Sequence, residues 1–190
     1  GVDYGVTDNL TVGLHRTKGA GSMPDGNSGL RQLLNGVVKL RLLQQTADNK
    51  VPVSIAVVGL ASLSTAEKIE DNPDIIRSFP KFAHRMATHA ELLIARKFSD
   101  QFSLQLKPGF TQRNLVPFED ENGIFSLALA TRVQITKVMA LIGDVTFPFS
   151  ERRTTANGFY TPIGVGLEFD TGGHVFQLKL TNATGVMEND

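Results

Sequence analysis

Few residues of this chain have the types and spacing to do chemistry. His15, His89 and Glu91 make up a common metal-ligand set. His89 and Glu91 stand two residues apart and would share one face of an extended strand. Nothing in the spacing brings His15 near them. Polar residues on the hydrophilic side of a sheet are the plainer account, and no metal site is expected. Serine, histidine and aspartate all occur, as a hydrolase would need, but no Gly-x-Ser-x-Gly elbow is present. No enzymatic activity and no catalytic residue are expected. The glycine-rich stretch from Gly19 to Gly29 lacks the Gly-Lys-Ser/Thr ending of a phosphate loop and reads as surface loop. Phe118-Glu119-Asp120-Glu121 could take Ca²⁺, and a solvated loop is the default for it.

Composition narrows the options further. With no cysteine, thiolate metal sites, CxxCH haem attachment and a cysteine nucleophile are excluded. No cofactor is expected. Lys plus Arg and Asp plus Glu are both 19, so the net charge is zero, which argues against nucleic acid as a partner. No apolar run reaches the roughly 18 residues of a transmembrane helix. A membrane barrel carries a weaker signal, segments of roughly ten residues with alternating polarity.

That alternation dominates the chain. Phe102, Leu104, Leu106, Pro108 and Phe110 fall on one side of a strand; Ser103, Gln105, Lys107, Gly109, Thr111 and Arg113 fall on the other. A helix would scatter both sets. Phe125, Leu127, Leu129 and Val133 oppose Ser126, Ala128, Ala130 and Arg132 in the same way. Met139 to Phe149, Ile163 to Phe169 and Phe176 to Leu180 repeat the pattern, as do Leu10 to Leu14 and Val38 to Leu42. Val53 to Leu63 and Ala87 to Phe98 alternate less cleanly. Short turn-rich links at Thr7–Asn9, Thr46–Pro52, Ser99–Gln101, Thr136–Lys137 and Asp170–Gly173 alternate with long connections near Gly19–Leu34, Ala66–Met86, Asn114–Gly123 and Ser150–Gly158. The Ala66–Met86 stretch has room for a short helix around Pro73 to Phe82 that constricts the lumen or caps the outside.

Short turns at one end, long loops at the other, strands of about 10–12 residues and aromatic residues in two bands are the marks of an outer-membrane barrel. The predicted fold class is all-β, an antiparallel up-and-down transmembrane β-barrel with about ten strands in residues 1–190 as one domain. Both ends of the chain then fall on the long-loop side, whereas such barrels begin and end in the periplasm. One more strand at each end repairs this, so the intact protein is expected to have about twelve strands or more, with this chain an internal portion.

The polar phase of the strands defines the expected lumen-facing residues: Lys39, Arg41, His89, Glu91, Lys97, Lys107, Arg113, Arg132, Asp144, Glu168 and Lys179, with Asp3 and His15 on the same phase. Basic residues outnumber acidic ones. One reading is a water-filled pore favouring anions. The other is an interior braced by ion pairs, which is the default because opposite charges inside a narrow barrel pair. A non-conducting scaffold for a periplasmic or surface protein partner, and a soluble lipocalin-type barrel, stay open beside them.

Gly5-Val6-Thr7-Asp8-Asn9-Leu10-Thr11-Val12-Gly13 looks like a hairpin frequent in outer-membrane barrels. With Leu34–Leu40, the Phe98-Ser99-Asp100 hairpin and Thr181-Asn182-Ala183-Thr184, the chain resembles a Gram-negative family of porin-like outer-membrane beta-barrel proteins of unknown function. The resemblance spans most of the chain. It implies the fold, the Gram-negative outer membrane as location and outer-membrane lipid as a partner; it carries over no catalytic residues.

Overall fold

The computed structural model describes residues 1–18, 32–68, 78–116 and 120–183. Ten strands follow one another: β1 Val2–Gly5, β2 Leu10–Lys18, β3 Gln32–Leu43, β4 Ser54–Ser64, β5 Met86–Lys97, β6 Phe102–Arg113, β7 Gly123–Gln134, β8 Met139–Phe149, β9 Ile163–Asp170 and β10 Val175–Thr181. They form one sheet in sequence order, each antiparallel to the next. Strands β3 to β8 have 11 or 12 residues, enough to cross a bilayer when tilted. Among the described residues, no backbone pairing joins β1 to β10.

Three of the short turns are the same device written in different residues. Thr7, Ser99 and Thr136 each place a hydroxyl that accepts backbone N–H groups two and three residues on, from Asn9 and Leu10, Gln101 and Phe102, and Val138 and Met139. In each, the hydroxyl residue and the one before it donate their own N–H to the carbonyl that closes the turn: Leu10, Phe102 or Met139. A Ser or Thr at that position offers the chain a local hydrogen-bonded reversal, which pins the register of each hairpin. The turn after β3 differs. There Asp48 accepts from the Thr46 hydroxyl and the Lys50 N–H, and Asn49 takes a positive φ.

Because side chains alternate in a strand, the register decides the faces. On one face lie the apolar residues of every strand, and many are exposed, among them Leu14, Val38, Leu141, Val165 and Leu180 at 74%. Phe110, Phe125 and Phe149 are cross-strand neighbours in a row over β6, β7 and β8 at the long-loop end, the first pair with ring centroids 4.6 Å apart. Phe98 and Phe102, 5.6 Å apart, and the cross-strand pair Phe169 and Phe176 mark the short-turn end. The other face carries the polar residues and curls inward. In a flat sheet, six steps of about 4.8 Å would put β4 and β10 about 29 Å apart. One cavity of about 490 Å³ is nonetheless lined by Ser54 of β4 and Lys179 of β10.

The blurred alternation of β4 now has a reason. Ala56, Val58 and Leu60 sit on the inward face beside Val37 and Leu93, and Leu60 is buried. Both faces of this strand are therefore apolar. The segment expected to hold a short helix contains, in its described part, a 3-10 turn at Phe82–Arg85; residues 69–77, like Gly19–Gly29, lie outside the described residues. Arg85 lies over the Phe79 ring and donates to the carbonyls of Ser64 and Ala66, tying this stretch to the end of β4.

Candidate functional site

The inward face is the candidate site, and the register assembles it strand by strand. Lys39 and Arg41 belong to β3, His89, Glu91 and Lys97 to β5, Lys107 and Arg113 to β6, Arg132 to β7, Asp144 to β8, Glu168 to β9 and Lys179 to β10. All share one face: Lys39 is level with Val58, Val58 with Glu91, and Lys97 with Ser103, which is level with Arg132. Asp144 is level with Gly164, and Glu168 with Gln177. Asp3 and His15 lie on the same face of β1 and β2.

Most of these charges are paired. Glu91, with its side chain only 8% exposed, has Lys107 Nζ at 3.2 Å and His89 Nε2 at 3.6 Å. His89 shares a hydrogen bond with the Thr111 hydroxyl at 2.8 Å. Arg132 Nε donates to Glu168 Oε1 at 2.7 Å, and Gln177 Nε2 donates to the second Glu168 oxygen. Lys179 Nζ lies 2.5 Å from Asp144 Oδ1, and Lys97 Nζ lies 2.6 Å from Asp100 in the adjoining turn. Arg41 donates to the Asn9 side chain and the Asp8 carbonyl, closing the β1–β2 turn from inside. Lys39 has no such partner among the described residues. A buried or half-buried charge needs a partner because desolvation is otherwise uncompensated; in the pairs Lys107–Glu91, Arg132–Glu168 and Lys179–Asp144 the carboxylate is the more enclosed partner.

Glycines make room for these crossings. A methyl group added at Gly164 would run into Lys179 Cε and Asp144 Oδ1, and one at Gly109 would press on His89 and Glu91. At Gly164 the bare backbone lets the long Lys179 side chain lie flat across β9, and at Gly109 it leaves room on β6 for the His89 and Glu91 side chains of adjacent β5.

The structure does not bring together the metal set weighed from the sequence. His15 Nε2 pairs with Asp3 Oδ1 at 2.9 Å on β1 and β2, while His89 and Glu91 sit on β5 behind two further strands. Among the described residues no group of three histidines or carboxylates is arranged to hold a metal. The calcium reading of the loop after β6 fares similarly in its described part. Asp120 Oδ2 accepts from both Arg113 and Arg153, at 3.3 and 3.2 Å, so two cations already occupy that oxygen. Phe118 and Glu119 lie outside the described residues.

Two groupings escaped the sequence reading. Asn35, fully buried, accepts from the Ser62 hydroxyl and donates to Thr17 at 2.9 Å, stitching β2, β3 and β4 together. Its polar phase with Lys39 and Arg41 was a usable signal. The Arg113–Asp120–Arg153 bridge gave no such signal, because it joins two loops distant in sequence.

An apolar outer face, aromatic rows at both strand ends and a charged inner face are the inverse of a soluble lipocalin-type barrel, whose apolar side faces in. That alternative is set aside. No curated protein and no solved structure matches the chain. A family model described as "Membrane bound beta barrel domain (DUF5777)" matches residues 1–190. The chain belongs to this family of membrane-bound beta-barrel domains.

Proposed function

We propose that this barrel sits in the Gram-negative outer membrane and passes small polar solutes, with a preference for anions. The observation that carries the reading is the inward face itself. It bears Lys39, Arg41, Lys97, Lys107, Arg113, Arg132 and Lys179 against Asp3, Glu91, Asp144 and Glu168, and it borders an open cavity of about 490 Å³. A polar wall with a basic excess raises the local concentration of anions. A second reading is favoured by the ion pairs that cross strands, Arg132–Glu168 and Lys179–Asp144. They brace the wall, as a non-conducting scaffold holding a periplasmic or surface protein would require.

Planar-bilayer recording from the full-length protein separates the two. A channel gives discrete conductance steps whose reversal potential in a salt gradient reports anion preference, and Lys107→Glu combined with Arg132→Glu moves that potential towards cations. Silence from protein verified as folded overturns the channel in favour of the scaffold.

A further inference from the structure

We propose that the short-turn end of the inward face holds a binding subsite for a small hydroxylated monocarboxylate, seated on Arg132, Ser103 and Gln105. The proposal builds on the reading of this face as the wall of a solute passage and names what the wall would recognise.

Arg132 uses only one edge of its guanidinium within the protein. Its Nε donates to Glu168, whose other oxygen is taken by Gln177. Among the described residues its two terminal nitrogens have no partner, and the side chain keeps 35% exposure. A guanidinium fork of this kind matches a carboxylate with two parallel hydrogen bonds. The Nε–Glu168 bond holds the plane of the fork in advance, so less ordering remains to be done on binding.

The neighbours of Arg132 supply further free polar groups. Ser103 is its direct cross-strand partner, and Gln105 follows two residues along the same face. The Ser103 hydroxyl and the Gln105 amide have no side-chain partner among the described residues. All three residues line the cavity of about 490 Å³. Of the cations that line it, Lys97 and Lys179 are taken up by Asp100 and Asp144, and the Arg96 guanidinium lies over the Phe98 ring, so Arg132 is the one that presents an open fork among the described residues. One open guanidinium, with Glu168 already on its other edge, suits a singly charged carboxylate better than a phosphate dianion. Amide and hydroxyl groups along the rest of the wall suit a ligand bearing hydroxyls.

Isothermal titration of the purified, folded full-length protein with gluconate tests this. Saturable binding is expected, with Arg132→Lys, which keeps the charge and loses the fork, weaker by about tenfold. Gln105→Leu, which touches no ion pair, should weaken it by about threefold, and carries the test should Arg132→Lys fail to fold. Lys81→Gln, at the exposed residue before the Phe82–Arg85 turn and away from this cavity, should leave the affinity unchanged. No saturable binding, equal affinity in Arg132→Lys and Gln105→Leu, or phosphate bound as tightly as gluconate would overturn the proposal. Binding by a barrel that does not conduct would sink the channel and leave the subsite standing; conduction without binding would sink the subsite alone.

Discussion

Lys179 of β10 reaches over the bare backbone of Gly164 in β9 to place its Nζ 2.5 Å from Asp144 Oδ1 in β8. A single ion pair thus ties three strands, and it exists because the middle strand has no side chain at the crossing. Substituting Gly164→Ala should uncouple the pair without unfolding the wall. In a double-mutant cycle of Asp144→Asn and Lys179→Gln, followed by urea unfolding, the coupling should be under about 1 kcal/mol, since both groups are partly exposed. It should vanish in the Gly164→Ala background. Unchanged coupling there would show that the crossing does not depend on the glycine.

Glu91 presents the opposite case, a carboxylate that the fold encloses. Lys107→Met removes its closest cation and leaves the negative charge buried beside His89. The expected loss is about 3 kcal/mol, read as a lower urea midpoint. Glu91→Gln with Lys107→Met should recover much of it, because the unpaired charge is then gone.

The outer face should be intolerant of charge at mid-strand. Leu106 lies on the apolar phase of β6, one residue before Lys107. Leu106→Arg should cost about 2–4 kcal/mol if the position lies near the bilayer midplane, and Leu106→Glu less. Assembly yield in lipid vesicles measures this. Full tolerance of Leu106→Arg would mean that the faces are reversed.

The turn between β3 and β4 should respond to acid. The Thr46 hydroxyl, then Lys50, hold the Asp48 carboxyl below its usual value of 3.8. A depressed carboxylate pKa contributes stability above the ordinary value and loses it as pH falls through the folded one. Carboxyl NMR titration of Thr46→Val should therefore show the Asp48 midpoint moving up. No movement would assign the depression to Lys50 instead.

The repeated hydroxyl of the other turns is testable in the same spirit. Ser99→Ala removes the acceptor for the Gln101 and Phe102 N–H groups at an exposed turn. A loss of about 0.5–1.5 kcal/mol is expected, with Ser99→Thr close to wild type. Equal stability of Ser99→Ala would assign the turn to its backbone hydrogen bonds alone.

The sequence by itself determined which side of each strand is polar, because a period of two leaves no freedom once a strand exists. Phe102 to Arg113 shows it without any structure, and so does the placing of short turns at Thr7, Ser99 and Thr136, where local hydroxyl bonds make the reversal. Where both phases are apolar, as around Ala56, Val58 and Leu60, alternation carries no signal, and only pairing with β3 and β5 gives the face. The partners on the inward face were likewise beyond the sequence. Glu91 and Lys107, Arg132 and Glu168, and Asp144 and Lys179 lie 16, 36 and 35 residues apart, and the last two pairs skip a strand. Their meeting depends on register, on the inward curl of the sheet and on the bare backbone at Gly164, which are properties of the assembled sheet rather than of any segment. For the same reason the open edge of Arg132 could not be read in advance: a guanidinium is free or occupied only once its neighbours are in place.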